Sequence, residues 1–177
     1  MSEAKSNENS SVKVKCLVQQ CLSAKLQVVL PDMEKNIEPE FVQIGRGVVF
    51  FVCFMKDATE ADVDKLVRSV LGAKLSEPDN DPSKHIPILD IPGDILIIPQ
   101  ATLGGKIKGK VFQYHYNVNK DLGFELYSKF IELCKKYARE HPVWSKNSNL
   151  KIVNGTYGIR QVYSTETNGP YLHLIEF

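Results

Sequence analysis

Long apolar runs are missing from this 177-residue sequence. The longest, Val48 to Met55, has eight residues, far short of the roughly 20 that cross a bilayer as a helix. Met1 to Glu8 hold no hydrophobic stretch, so no secretory signal is expected and the chain reads as a soluble, cytoplasmic protein with no membrane partner. Tryptophan occurs once and cysteine four times. Cys16 and Cys21 have no second Cys pair and no histidine pattern to complete a zinc set. His85, His115, His141 and His173 are scattered, so neither a metal nor a cofactor is expected. No serine, threonine or cysteine has a base placed beside it in a nucleophile pattern.

Net charge is also nearly absent, at +1 from 22 basic and 21 acidic residues. The balance is local, however. Residues 101–160 carry 11 basic and 4 acidic side chains, whereas residues 1–100 carry 11 and 15. A bias of that size suits a surface that faces a polyanion, although solvated helix and loop faces would look the same.

Hydrophobic residues make up 43% of the chain, enough for one full core. Residues 1–11 are polar and predict a disordered tail, leaving 12–177 as a single domain. Alternation at Val12, Val14, Cys16 and Val18 predicts a strand, Ala24–Leu30 a second, and the two-sided apolar run Val48–Met55 a buried central one. Thr59 caps a helix whose Val63, Leu66, Val67, Val70 and Leu71 share one face, with Gly72 as its stop. Ile95–Ile98 predicts another buried strand and residues 121–139 a second helix. Residues 104–110 read as a glycine-lysine loop. Strand patterns return at Leu150–Val153, Gly158–Ser164 and Tyr171–Phe177. The order predicts an α+β fold, with two helices packed on mixed or antiparallel sheets.

Two short segments stand out. In Pro99-Gln100-Ala101-Thr102-Leu103-Gly104-Gly105, the proline takes an amide out of the sheet ladder and the glycines admit a close neighbour. Read as extended chain, it puts Gln100 and Thr102 on one face. In Thr167-Asn168-Gly169-Pro170-Tyr171, Asn-Gly is a tight-turn signal and Gly-Pro can take either isomer. A frayed strand end and a plain hairpin turn account equally for these residues.

Together with Val18-Gln19-Gln20-Cys21-Leu22-Ser23-Ala24-Lys25-Leu26 and Ile44-Gly45-Arg46-Gly47-Val48, these segments resemble the D-aminoacyl-tRNA deacylase family. That family carries Ser-Gln-x-Thr-Leu at the strand end and Asn-x-Gly-Pro-x-Thr at the late turn. Pro99, Ala101 and Thr167 depart from it and resemble an animal branch with Pro-Gln-Ala-Thr-Leu and Thr-Asn-Gly-Pro-Tyr-Thr-His. Residues 99–103 match the first in full, and 167–173 match the second in six of seven places, with Leu172 in place of Thr.

The resemblance implies the deacylase fold, a homodimer and a metal-free esterase acting on aminoacyl-tRNA. Gln100, Ala101 and Thr102 would position substrate and offer backbone amides, and Pro99 and Leu103 would help form the pocket. Thr167, Asn168, Gly169, Pro170 and Tyr171 would screen the amino acid from the partner subunit. Lys106, Lys108 and Lys110 would meet tRNA phosphates. The branch further implies a trans Gly169–Pro170 bond and activity on D-aminoacyl-tRNA and on small L-amino acids such as L-Ala on tRNA(Thr). A non-catalytic RNA-binding module, or a hydrolase with Thr102 as nucleophile, stays open on the residues alone.

Overall fold

The computed structural model describes residues 11–177; all but the last residue of the expected tail lies outside the described residues. Ten strands and two α-helices follow in the order β1 (Val14–Cys21), β2 (Ser23–Val29), β3 (Glu40–Ile44), β4 (Gly47–Phe54), α1 (Glu60–Gly72), β5 (Asp94–Pro99), β6 (Lys106–Lys108), β7 (Val111–Gln113), α2 (Lys120–Glu140), β8 (Ile152–Asn154), β9 (Tyr163–Glu166) and β10 (Leu172–Glu176). The α+β class with mixed sheets and two helices is therefore as expected.

The apolar run of β4 dictates the layering. It occupies the centre of a five-stranded sheet, ordered β10-β1-β4-β5-β8. Val48, Phe50, Val52 and Phe54 face both helices, together with Ile95 and Ile97 of β5. Val49 of β4, with Leu96 and Ile98 of β5, faces a second sheet, ordered β3-β2-β9, against Ala24 and Leu26 of β2. A strand covered on both sides has no polar face to show, which is why alternation is lost there. Phe50 meets Phe130 of α2 edge to face, with centroids 6.3 Å apart. Burying each such side chain is worth about 1.5–3 kcal/mol.

β1 pairs antiparallel with β4 and β10, while β4, β5 and β8 run parallel. The helices supply the two crossovers that parallel neighbours need. Helix α1 starts at a reciprocal cap: the Thr59 side chain accepts from the Asp62 amide, and the Asp62 carboxylate accepts from the Thr59 amide at 2.9 Å.

Three local expectations are corrected, and one strand is new. Gly72 ends α1 as its last helical residue rather than by a left-handed turn, since the chain leaves through an extended Ala73. Residues 104–110 are not an open loop; most of them belong to the hairpin β6–β7, which turns at Gly109 with φ of 64°. The strand expected at 158–164 begins only at Tyr163, because Gly158 takes φ of 81° and bends the chain away. Strand β3 was not expected: Val42 and Ile44 turn inward, but Phe41 on the opposite face is 43% exposed, so an apolar residue on each face blurs the alternation.

Candidate active site

The parallel strands β4, β5 and β8 end on the same side, and such carboxyl ends leave room between the loops that follow them. Here β5 runs into Pro99 and then a tight 3-10 turn, Ala101–Gly104. A cavity of about 740 Å³ opens beside it, a size that suits a small-molecule or nucleoside ligand. Its wall takes Pro99, Gln100, Ala101 and Thr102 from this turn and Tyr157 to Gln161 from the chain after β8. Phe51 and Tyr163 meet edge to face at 5.6 Å on the side of the second sheet. Leu103 points elsewhere and does not line the cavity.

The turn corrects the extended reading of this segment. Leu103 N–H donates to Gln100 O and Gly105 N–H to Thr102 O, both at 3.1 Å. Gln100 and Thr102 still meet, through a hydrogen bond from the Gln100 side-chain amide to the Thr102 hydroxyl. Gly104 makes the turn possible, since a Cβ there would lie 1.8 Å from Asn117 Oδ1. The same Asn117 donates to Ala101 O at 2.7 Å and so fixes the carbonyl side of the turn. The first amides of a helical turn have no partner within it. Accordingly the N–H groups of Ala101 and Thr102 have no acceptor among the described residues.

Chemically the wall is plain. Among the described residues it holds no histidine, cysteine or carboxylate, so none of these serves Thr102 as a base there. Cys53 is behind the turn, with Sγ 3.7 Å from Ala101 O, and burial pushes its thiol up to about 11, where it stays protonated. The two cations on the wall are Lys120 and Arg160. Lys120 lies along Gly158, whose Cβ would sit 3.2 Å from the lysine Cε.

The loop bearing Tyr157 and Arg160 is secured from both sides. The buried Tyr127 hydroxyl of α2 sits 3.0 Å from both Ile97 O and Gly155 O. On the other side, Thr156 donates to Val28 O at 2.7 Å and the Gln161 side chain to Gln27 O. Sequence reading missed these residues. The spacing Gly155-Thr156-Tyr157-Gly158 was the available signal, as two glycines three apart do not sit well in a strand.

The second motif lies apart. Residues 167–171 form the turn between β9 and β10, and none of them lines the cavity. The turn is held by Gln19 of β1, which is 6% exposed and whose side-chain amide lies 3.3 Å from both Thr167 Oγ1 and Gly169 O. Thr167 closes the loop by donating to Gly169 O at 2.7 Å. A Cβ on Gly169 would sit 2.5 Å from the Tyr171 ring, so a side chain there would displace that exposed ring. The Gly169–Pro170 bond is trans, as expected, and Pro170 and Tyr171 stand exposed. Lys106, Lys108 and Lys110 are likewise exposed, on the β6–β7 hairpin.

Known proteins match this chain along nearly its whole length. The sequence profile of the family described as D-Tyr-tRNA(Tyr) deacylase matches residues 17–176. Chicken (Gallus gallus) D-aminoacyl-tRNA deacylase 2 is 48% identical over 166 residues, covering 94% of this chain and 96% of the relative. The human (Homo sapiens) protein of the same name is 48% identical over 167 residues, covering 93% and 95%. A solved structure titled as a probable eukaryotic D-amino acid tRNA deacylase superposes with a TM-score of 0.74 at 26% identity, covering 93% of this chain and all of the other.

Proposed function

Because the chain belongs to the D-Tyr-tRNA(Tyr) deacylase family, we propose that it is an aminoacyl-tRNA deacylase, with residues 12–177 acting as a single deacylase domain in the cytoplasm. The observation that carries the chemistry is the pair of unpaired amides, Ala101 N–H and Thr102 N–H, beside a cavity whose described lining has no histidine, cysteine or carboxylate. The ester joining an amino acid to a terminal ribose is activated. Donors aimed at its carbonyl stabilise the charge that develops in the tetrahedral state, and one such donor is worth about 10²–10³ in rate. Holding ester and water together supplies much of the remainder.

In this reading Gln100, held by Thr102, positions the terminal ribose or adenine, and Ala101 and Thr102 present their amides to the ester carbonyl. Pro99 keeps the cavity side of β5 free of a competing amide, and Leu103 supports the turn from behind. Lys106, Lys108 and Lys110 neutralise phosphates of the tRNA. Thr167, Asn168, Gly169, Pro170 and Tyr171 screen the amino acid of the neighbouring subunit in a homodimer, which fits their absence from the cavity wall of their own chain. A trans Gly169–Pro170 and the small Ala101 leave room for a short L side chain. The substrates are then D-aminoacyl-tRNA and L-Ala on tRNA(Thr), with preference graded by size at about 1–3 kcal/mol per methyl-sized step.

The test is release of amino acid from a panel of D-aminoacyl-, glycyl-, L-alanyl- and L-phenylalanyl-tRNA. Turnover of the first three and not the last is expected. Binding of all four with no release would identify a non-catalytic RNA-binding module instead.

A further inference from the structure

The β6–β7 hairpin shows more aromatic and apolar surface than its size explains. Its strands have three residues each and, among the described residues, pair only with each other, and a lone two-stranded ribbon is only marginally stable in water. Ile107 and Phe112 face one another across it and are 65% and 56% exposed. Tyr114 and Tyr116, just beyond, are exposed as well. Within the same stretch, Gly104 to Lys120 contains four lysines and no acidic residue. Lys106 Nζ sits 4.1 Å above the Tyr116 ring, so cations and aromatic faces are already interleaved.

The hairpin also starts and ends at the cavity. Thr102 lines the wall before it, and Val118 and Lys120 line it after. Its rings are tied to the turn that carries the free amides. A Cβ on Gly105 would lie 2.7 Å from Tyr114 and 3.1 Å from Phe112, so both rings rest on that glycine. Gly105 in turn donates to Thr102 O at 3.1 Å.

We propose that this hairpin is a stacking platform for the unpaired nucleotides that lead an RNA 3′ end into the cavity. Phe112 and Tyr114 take base faces, and Lys106, Lys108 and Lys110 answer the phosphates between them. The proposal rests on the deacylase reading. A platform of rings with basic rims is how single strands are held without sequence readout, and the position beside the catalytic turn commits this surface to the strand that must enter there. A two-fold contact with a second copy fits less well. It would set the three lysines against their own mates, with no acidic side chain in the hairpin to offset them.

Binding is measured with two RNA duplexes that carry no amino acid, one blunt and one with an unpaired 3′ tail, and with anionic vesicles, on the wild type and on Phe112→Ser, Tyr114→Ser and Phe112→Tyr. The wild type should prefer the tailed duplex. Each serine variant should lose about tenfold on it, about 1.4 kcal/mol, and far less on the blunt one, while Phe112→Tyr keeps the wild-type preference. Equal affinity for both duplexes in every variant would overturn the proposal. So would a fall in molar mass on Phe112→Ser, which would assign the surface to a second copy, or a loss confined to anionic vesicles, which would assign it to a lipid surface. The deacylase reading is tested apart, by wild-type turnover of D-aminoacyl-adenosine, which has no tail. Inertness there defeats that reading, whereas turnover with tail-insensitive variants defeats the hairpin alone.

Discussion

Residues 99–104 and residues 167–171 are both short, glycine-bearing and polar, yet the fold treats them in opposite ways. The first grows out of β5, whose Ile95 to Ile98 are buried on both faces. It inherits that rigidity and is fixed again by Asn117. The second joins an edge strand of one sheet to an edge strand of the other and depends on one buried side chain, Gln19. Register keeps them apart: Gln100 bonds Val52 O, while Gln19 lies opposite Val49, three residues or about 10 Å back along β4. Among the described residues, the first segment therefore lines a cavity of its own chain and the second does not line it. A segment held rigid suits positioning of reacting atoms, and one held by a single contact suits screening of what enters.

The largest effect should come from disturbing the rigid segment. In Gly104→Ala the new methyl collides with Asn117, which must release Ala101 O and shift the free amides. A displacement of about 1 Å can cost roughly 10²-fold in rate. Single-turnover deacylation should fall by that order even where the folded signal persists. Thr102→Val makes a sharper companion. A hydroxyl that only holds Gln100 should cost about tenfold on removal, whereas complete loss would make Thr102 the nucleophile.

Mixing the two regions tests whether they serve one another across subunits. Gly169→Ala damages the second segment by crowding Tyr171. If the site is shared in a two-fold dimer, each heterodimer of Gly104→Ala with Gly169→Ala holds one intact pairing. Random mixing then leaves about a quarter of all sites with both segments wild type, and these alone should combine the wild-type rate with the wild-type selectivity. No recovery, or a fully active species sedimenting at the 19.9 kDa of one chain, would mean that the late turn serves no neighbour.

A smaller effect is expected at the lysines outside both segments. Lys106→Ala, Lys108→Ala and Lys110→Ala together should weaken tRNA binding and lower the slope of log affinity against log salt by about two, since each phosphate contact contributes roughly 0.7–0.9. The loss should be greater on tRNA than on an aminoacyl-adenosine. Equal losses would move these lysines into the reaction centre.

Wherever one element buries a face of its own, the sequence was readable. The two-sided strand β4, the capped helix α1 and the amphipathic α2 all show their environment as a period. The cavity was half readable for the same reason. Pro99 to Thr102 follow directly from a buried strand, so their place at its end could be inferred. Tyr157, Arg160 and Gln161 arrive through α2 and the parallel pairing of β8 with β5, a relation no local pattern encodes. The turn at 101–104 was misread as extended because its cause is distant: Asn117 fills the space that only glycine leaves at 104. The hairpin β6–β7 was read as loop because its apolar residues face outward, leaving no buried side to set an alternation.

The finest test of the contrast lies at Gln19, the only side chain from outside the late turn that hydrogen-bonds it among the described residues. Gln19→Ala removes the donor to Thr167 and Gly169 but leaves the Thr167 to Gly169 bond in place, so the turn should loosen rather than unfold. One buried hydrogen bond is worth about 0.5–1.5 kcal/mol, which for a chain of this length lowers the melting temperature by about 3 °C. That shift alone would describe any buried glutamine. The reading that separates a screen from a mere turn is selectivity: with 167–171 free to move, the ratio of D-Ala-tRNA to L-Ala-tRNA hydrolysis should change by about threefold or more, while the same ratio in Thr102→Val stays near that of the wild type. A lower melting temperature with the ratio unmoved would leave the late turn outside the substrate's path and reduce the contrast between the two segments to one of rigidity.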